Sequence, residues 1–416
     1  MRLVYSIGIW FYTLGIRLAA FFGHRKARQM VRGWRRWRDE LANLDERPVV
    51  WFHASSLGEF EQARPVLERY LELHPDQQVL LTFFSPSGYE VRKNYPLAQA
   101  VCYLPPDLPY TVFWFTMRLI GLQAAFFVKY DFWFNYLARL HEAEVPTYLF
   151  SSIFRQEQYF FRPGGRWFLK QLRDCYTHIF VQNEESLQLL KSHGVERCSL
   201  AGDTRFDRVH QIAEAAERNE VVEAFLKDHD GKVLVCGSTW PPDEELIAKL
   251  KVDSLKLKVI LAPHVISEEH LRQIEVLFPG SSRYSRLSSD SSLSSSSSLS
   301  SGVLIIDNIG LLSKLYRYAD VAYIGGGFGA GIHNILEAVT FGKPVLFGPN
   351  YHKFQEAKDI IACGGGFTHS DYSRLSANLL PLLTDADAYR RASQACLDYM
   401  NANLGSTDKI IPKLVK

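Results

Sequence analysis

Hydrophobic positions follow two different patterns along the chain. From Leu3 to Phe22 the residues are almost continuously apolar, broken only by Ser6, Gly8, Thr13, Gly15 and Arg17. As a helix, about 20 such residues rise roughly 30 Å, the thickness of a bilayer core. From Val49 onward the apolar positions come instead in short runs: Val49–His53, Val79–Phe84, Val101–Leu104, Ala124–Val128, Thr147–Phe150 and His178–Val181. Polar stretches of helical period, such as Glu61–Leu73, lie between some of them, and Glu184–His193 follows the last. A polar stretch, Arg208–Lys232, has helical character around Ile212–Phe225, and then the runs restart at Lys232–Cys236, Lys258–Ala262, Val303–Asp307, Val321–Gly325 and Pro344–Phe347. Runs this short, bounded by Gly, Pro or Ser and alternating with helices, predict parallel βαβ units with both sheet faces covered. Two such series predict an α/β chain of two Rossmann-like, doubly wound domains facing a cleft, with ligands outside the carboxyl ends of the strands.

The pattern divides the chain into an apolar anchor (1–24), a basic juxtamembrane segment (25–47), a first domain (48–207), a linker (208–230), a second domain (231–390) and a helical tail (391–416). Between Ser288 and Ser301, 11 of 14 positions are serine; this predicts a mobile loop with no chemistry of its own. At 416 residues, 47% hydrophobic and 22% charged, the chain is neither disordered, collagenous nor a disulfide framework. A net charge of +2 gives no general attraction to nucleic acid. The six cysteines are widely spaced without a Cys-x-x-Cys pair, which predicts buried thiols in a reducing compartment and no zinc site.

Charge changes the reading of the anchor. Arg25, Lys26, Arg28, Arg32, Arg35, Arg36 and Arg38 follow it, interleaved with Trp34 and Trp37. Cations beside an apolar helix are held by anionic headgroups and stay cytoplasmic, while tryptophan favours the interface. A cleaved signal would carry its charges before the apolar stretch; here only Arg2 precedes it. The expectation is attachment to a membrane with the remaining chain on the cytoplasmic side. Arg17 leaves open whether the helix spans or lies in the interface, and a helix packed on the protein's own core is the competing account.

Candidate chemistry sits after the strands. In Ser55-Ser56-Leu57-Gly58-Glu59 a strand ends and a helix begins near Glu59; a carboxylate there is either an ordinary helix-start acid or an ionised base able to take a proton from a hydroxyl. Ser85-Pro86-Ser87-Gly88 is a plain turn or an anion-holding helix start. Lys129 and Asp131 stand together at a strand end, as a salt-bridged terminus or as site residues. Arg205 suits a carboxylate or phosphate, or else pairs with Asp203 or Asp207. Ser238 and Thr239 precede a helix led by proline, where backbone and hydroxyls can approach a phosphate or the chain simply makes an ordinary capped helix start. His264 follows the next strand, as a ligand contact or a satisfied polar residue. His264, Glu268 and His270 do not share a helical face, so no metal site is expected. The richest motif is Gly325-Gly326-Gly327-Phe328-Gly329-Ala330-Gly331-Ile332-His333-Asn334-Ile335-Leu336-Glu337. A strand runs into a glycine loop, a helix is expected to begin near His333, and Glu337, one turn inside it, can accept ribose hydroxyls; the alternative is a tight glycine turn with a solvated Glu337. Asn350, in Gly348–Phe354 after the next strand, is expected to line the same cleft or to belong merely to a turn. The glycine loop does not open the first βαβ unit, which disfavours a nicotinamide site.

Taken together, Ser55–Glu59, Ser85–Gly88, Asn183-Glu184-Glu185, Gly202–Asp207, Gly331–Glu337 and Gly348-Pro349-Asn350 resemble the Kdo transferases. Those enzymes move 3-deoxy-D-manno-octulosonic acid (Kdo) from CMP-Kdo to a lipid A precursor. The resemblance runs across nearly the whole chain, anchor included. It implies a GT-B fold, inverting transfer with no metal or cofactor, CMP-Kdo as donor substrate, and Glu59 as general base. It further implies a CMP-holding second domain, with Glu337 near the ribose and the Gly325–Asn334 turn, including Gly326, Gly327, Gly331 and His333, near the phosphate. Ser56, Gly58, Asp131, Arg205, Ser238, Thr239, His264, Asn334 and Asn350 are the other expected substrate contacts. The expected partners are the lipid A precursor and anionic phospholipid headgroups, and the membrane that the resemblance implies is the inner one. Where many members carry Glu-Thr-Glu-Leu-Trp-Pro-Asn, this chain has Lys129-Tyr130-Asp131-Phe132-Trp133-Phe134-Asn135, so only Asp131 carries over as an acidic partner. A Pro-Arg-His run is replaced by Pro263-His264-Val265, and Arg205 stands for a frequent lysine. The alternatives are a membrane-associated GT-B enzyme using a UDP-sugar, or a non-catalytic nucleotide- or membrane-binding protein.

Overall fold

The computed structural model describes residues 1–215, 217–250, 256–289 and 302–414. Most of the serine-rich stretch 288–301 therefore lies outside the described residues. The chain forms two compact units, Met1–Arg208 with Leu404–Lys416, and Val209–Asn403.

The first unit is built on β1 (Val49–Ala54), β2 (Gln78–Phe83), β3 (Ala100–Tyr103), β4 (Leu122–Val128), β5 (Thr147–Ser152), β6 (His178–Val181) and β7 (Cys198–Leu200), all parallel, in the order β3-β2-β1-β4-β5-β6-β7. Both faces are covered, which is why β1 is apolar at every position but His53. Successive side chains of a strand point to opposite faces. Val50, Phe52 and Ala54 pack with Phe60, Ala63 and Val66 on one side; Val49 and Trp51 pack with Trp37, Leu41 and Phe115 on the other.

The second unit has β8 (Lys232–Thr239), β9 (Leu257–Pro263), β10 (Ser282–Arg283), β11 (Val303–Ile305), β12 (Val321–Ile324), β13 (Val345–Phe347) and β14 (Gly366–Thr368) in the parallel order β10-β11-β9-β8-β12-β13-β14. Strand order reverses between β1 and β4 in the first sheet and between β8 and β12 in the second. At such a switch point neighbouring loops diverge and leave a crevice at the carboxyl ends of the strands. Ser55–Glu59 and Lys129–Asp131 leave the first switch point; Ser238–Thr239 and Gly325–Gly331 leave the second.

The expected tail 391–416 is two structures. Residues to Asn403 complete the helix Ala386–Asn403 of the second unit, whereas Ile410, Ile411 and Leu414 enter the apolar cluster of the first. The Asp207 carboxylate fixes this return by accepting Gly405 N–H (2.8 Å), Thr407 N–H (2.6 Å) and the Thr407 hydroxyl (2.7 Å).

Helix α1 (Arg2–Phe21) is, among the described residues, long and apolar enough to cross a membrane by length and composition. Its buried residues are Ser6, Thr13 and Ala20, a narrow stripe at heptad spacing. Leu3, Val4, Trp10, Phe11, Leu18 and Phe21 point outward, Phe21 with 80% of its surface exposed. The helix lies along the first unit: Arg2 reaches Asn135 and Glu142, Tyr5 donates to Asp107 (2.7 Å), and Tyr12 stacks on Phe84. A helix resting on its protein's own core would show the opposite polarity. In α2 (Arg25–Leu41), Ala27, Met30, Trp34, Trp37 and Leu41 face inward, and all seven cations of the collar are exposed.

Candidate active site

Helix α3 (Leu57–Leu73) starts two residues earlier than the sequence suggests, because Ser56 is its N-cap and Glu59 the third helical residue. Ser56 Oγ donates to Glu59 Oε2, tying the carboxylate to the helix start. This is the Ser-x-x-Glu spacing of a capping box, and the positive end of the helix dipole favours an acid there. Glu59 is half-buried, and its other oxygen lies 3.9 Å from Lys129 Nζ. Lys129 leaves β4 with φ +62°, a left-handed conformation that strands do not use and that aims the following residues off the sheet.

Asp131 is buried. It accepts the Ser55 N–H (3.1 Å) and the Ser55 hydroxyl. Burial pushes its carboxyl up to about 7; the Ser55 hydroxyl opposes the shift and the nearby Glu59 charge adds to it. Behind it sits His53, fully buried. Trp133 Nε1–H can only donate, and it lies 2.9 Å from His53 Nε2. That nitrogen is therefore the unprotonated one, and Nδ1–H donates to Thr82 Oγ1 (2.8 Å), which also accepts Trp51 Nε1–H (2.8 Å). Burial agrees, holding the imidazole down to about 3. The 3.8 Å approach of His53 Nε2 to Asp131 Oδ2 is consequently not an ion pair. The first switch point thus carries two carboxylates in different surroundings, one half-exposed beside a lysine and one dry. Gly58 is exposed in the first turn of α3.

Arg205 is engaged locally. Its Nε and Nη2 both lie 2.8 Å from Asp203 Oδ2, and its N–H lies 2.9 Å from Oδ1, which also accepts Gln62 Nε2–H (2.9 Å). Burial alone would raise the Asp203 carboxyl, but Arg205 and these donors outweigh it and hold it below the ordinary range.

At the second switch point the helix Pro241–Ile247 is a capped start and not an anion cradle. Pro241 and Pro242 have no N–H, and the Trp240 N–H is taken by Asp243 Oδ2 (3.0 Å). Ser238 and Thr239 remain at the strand end, Ser238 at φ +53° and Thr239 donating to Glu244 Oε1 (2.9 Å). Asp243 is fully buried and holds the glycine loop: it accepts Gly326 N–H (3.0 Å) and the Tyr323 hydroxyl (2.9 Å) besides Trp240. Burial raises its pKa against those three hydrogen bonds. Gly327 runs against Gly348; a Cβ on Gly327 would stand 2.6 Å from the Gly348 Cα. Asn350 closes the same turn through N–H to Gly327 O (2.9 Å) and Nδ2–H to Gly329 O (2.9 Å). His264 stacks between Trp240 (4.8 Å) and His333 (4.4 Å), and burial followed by the His264 charge lowers the His333 pKa.

The helix expected near His333 begins at Leu336 and makes a single turn to Val339. The Asn334 carboxamide accepts the Leu336 N–H (3.1 Å), which starts the helix there and not earlier, while Gly331 at φ +141° turns the chain ahead of it. Glu337 is therefore in the first turn, where Asn334 Nδ2–H donates to it (3.1 Å). No group of three or more His, Cys, Asp or Glu spaced for a metal occurs among the described residues.

The family profile described as 3-deoxy-D-manno-octulosonic-acid transferase (kdotransferase) matches residues 32–208, the greater part of the first unit. A curated relative, 3-deoxy-D-manno-octulosonic acid transferase of Aquifex aeolicus, is 27% identical over 345 residues, covering 81% of this chain and 86% of its own. The chain is a homologue of the Kdo transferases. Its fold is GT-B-like: the UDP-GlcNAc 2-epimerase of Neisseria meningitidis bound to UDP-GlcNAc superposes with a TM-score of 0.60 at 14% identity, over 88% of this chain and 99% of that one. A glycosyltransferase of Rickettsia africae gives 0.55 at 10% identity, over 89% and 98%.

In this Kdo-transferase homologue, the first unit brings Ser56, Gly58, Glu59 and Asp131 to one switch point. The second brings Ser238, Thr239, His264, Gly326, Gly327, Gly331, His333, Asn334, Glu337 and Asn350 to the other. Arg205 stays with Asp203, at the start of the helix Thr204–Glu214. Sequence reasoning missed His53, Thr82, Trp133 and Asp243. For Asp243 a signal existed: an acid three residues after Trp240, at capping-box spacing.

Proposed function

We propose that this glycosyltransferase moves Kdo from CMP-Kdo to a hydroxyl of a lipid A precursor in lipopolysaccharide synthesis, with inversion at the anomeric carbon and no metal. The observation that carries the reading is Glu59, held by Ser56 at the N-terminus of α3 beside Lys129, on a unit that the Kdo-transferase profile matches. Glu59 takes the proton of the attacking glucosamine hydroxyl; a positioned base of this kind contributes about 10²–10⁴ in rate. Asp131, dry and hydrogen-bonded to Ser55, orients the Ser55–Glu59 loop from beneath. The second unit binds CMP, its glycine loop approaching the phosphate and Glu337 the ribose. The phosphate charge is met by Ser238 and the loop amides that Asp243 does not use.

The acceptor is a lipid, and α1 and α2 suit a surface. The outward apolar face of α1, laid along the first unit, supports a helix lying in the interfacial plane, with the α2 cations at anionic headgroups on the cytoplasmic side of the inner membrane. Incubating the full chain with CMP-Kdo and a lipid A precursor, and weighing the lipid by mass spectrometry, tests the reading. A mass increase of one or more Kdo residues is expected; an unchanged lipid, or transfer from a UDP-sugar instead, overturns it.

A further inference from the structure

One cavity of the first unit takes no part in the chemistry above. It has about 330 Å³ of space, and every side chain lining it is aromatic. Tyr5 comes from α1, Phe132 and Trp133 from the loop that carries Asp131, Tyr159 and Phe160 from the turn after β5, and Phe168 from the helix Arg166–Cys175. Two polar atoms of this wall are committed elsewhere: the Tyr5 hydroxyl donates to Asp107 (2.7 Å) and Trp133 Nε1–H to His53 (2.9 Å). Apart from the hydroxyls of Tyr130 and Tyr159, what lines the cavity is ring carbon. No charged side chain lines it.

We propose that this cavity holds one acyl chain of the lipid acceptor, an assignment that rests on the acceptor's being an acylated glucosamine lipid. Three observations converge on that occupant. A sugar or phosphate would lose hydration against ring carbon without replacement, whereas a hydrocarbon chain loses none. At about 30 Å³ per water-sized group the volume takes roughly ten methylene-sized groups, the scale of an acyl chain. Tyr5 of α1, a helix with an apolar outer face, lines the cavity, and so does Phe132, the neighbour of Asp131 in the chain. A chain seated there joins the lipid phase to the end of the sheet that carries Glu59. The pocket then acts as a ruler, fixing how far the acceptor's sugar stands from the base.

Two measurements on the full chain test this. In the first, a lipid A precursor carrying a diazirine at the end of one acyl chain is photolysed with the protein in phosphatidylethanolamine vesicles, and labelled peptides are mapped. Label is expected on the segments holding Phe132 and Tyr159–Phe168, removed by unlabelled lipid A precursor and not by excess phospholipid. A phosphatidylethanolamine probe with the same diazirine should label the outer face of α1 only. Label from both probes in the cavity shows a general membrane contact and overturns the assignment, as does label confined to α1. In the second, KM is compared for the acylated acceptor and its acyl-free form. At about fourfold per buried methylene, Tyr159→Glu at the rim should cut the advantage of the acylated form roughly 20-fold. Phe160→Leu, milder in shape, should cut it less. Equal KM for the two acceptors in the unaltered protein overturns the assignment. If neither acceptor is glycosylated, the proposed activity fails, and the photolabel competition still decides the pocket.

Discussion

Asp243 is the side chain on which the glycine loop of the second unit depends. It is fully buried and satisfies three donors, Gly326 N–H, Trp240 N–H and the Tyr323 hydroxyl, at 3.0, 3.0 and 2.9 Å. Asp243→Ala leaves the Gly326 and Trp240 N–H groups unpaired and the Tyr323 hydroxyl with only His369 Nε2 (3.2 Å), at about 1–3 kcal/mol for each donor affected. Removing a carboxylate that burial itself disfavours returns part of that cost, for a net loss of about 4 kcal/mol. In a unit of this size that is roughly 8–16 °C in Tm. Asp243→Asn is the informative control. Its amide oxygen can replace Oδ2 and keep both backbone N–H groups, and its NH₂ can donate to the Tyr323 oxygen, so the loss should stay within about 1 kcal/mol. Differential scanning calorimetry of the full chain reads the stability, and titration calorimetry with CMP reads the loop. Alanine is expected to lower the second unit's transition and abolish CMP binding, and asparagine to preserve both. An alanine variant melting within 2 °C of the parent, or an asparagine variant as damaged as alanine, refutes the reasoning.

Burial lifts the Asp131 carboxyl from 3.8 to about 7, so the folded state holds a proton that the unfolded chain has released, and the stability of the first unit falls as pH rises from about 4 to about 7. Asp131→Asn removes that cost, roughly 4 kcal/mol above pH 7 and under half of it at pH 5; calorimetry should show a larger Tm gain at pH 8 than at pH 5, and equal gains would contradict the burial argument. His53 contributes with the opposite sign: its folded pKa is depressed, so its stabilisation is whole above about 6.5 and is lost as pH falls toward 3. Gly327→Ala drives a methyl into the Gly348 backbone and should part the two loops, weakening CMP binding at least tenfold in titration calorimetry while the first unit's melting transition stays put. Replacing outward-facing Trp10, Phe11 and Phe21 of α1 with serine should release the protein from phosphatidylglycerol vesicles in a sedimentation assay without loss of helix, since Arg2, Tyr5, Tyr12 and the buried stripe Ser6, Thr13 and Ala20 hold it to the unit; continued co-sedimentation would refute the in-plane arrangement.

Both sheets could be read from the chain because their strands are buried on two faces and run almost continuously apolar, as Val49–Ala54 and Leu257–Pro263 do with His53 and Lys258 their one interruption each. Cys198–Leu200, Ser282–Arg283 and Gly366–Thr368 could not, since two or three residues carry no periodicity and the last opens on glycine. Of the first switch point, Ser56–Glu59 was visible as a spacing. His53 and Trp133 were not, because their roles come from a hydrogen bond between residues eighty positions apart. The second site misled where local chemistry decided: a Pro-Pro start predicts a helix but removes the donors that an anion needs, and the Asn334 cap postponed a helix that the glycines alone place earlier. The inverted polarity of α1 is also tertiary information. An apolar helix interrupted by Ser6 and Thr13 reads alike whether those residues face lipid or protein.

Kdo transfer by Glu59→Gln, measured beside CMP binding in the same preparation, bears most directly on the account. Glutamine keeps the size and can still accept from Ser56, but it takes no proton at neutral pH. The account predicts transfer from CMP-Kdo lowered by about 10²–10⁴ with CMP affinity unchanged. Transfer at the parent rate would contradict it.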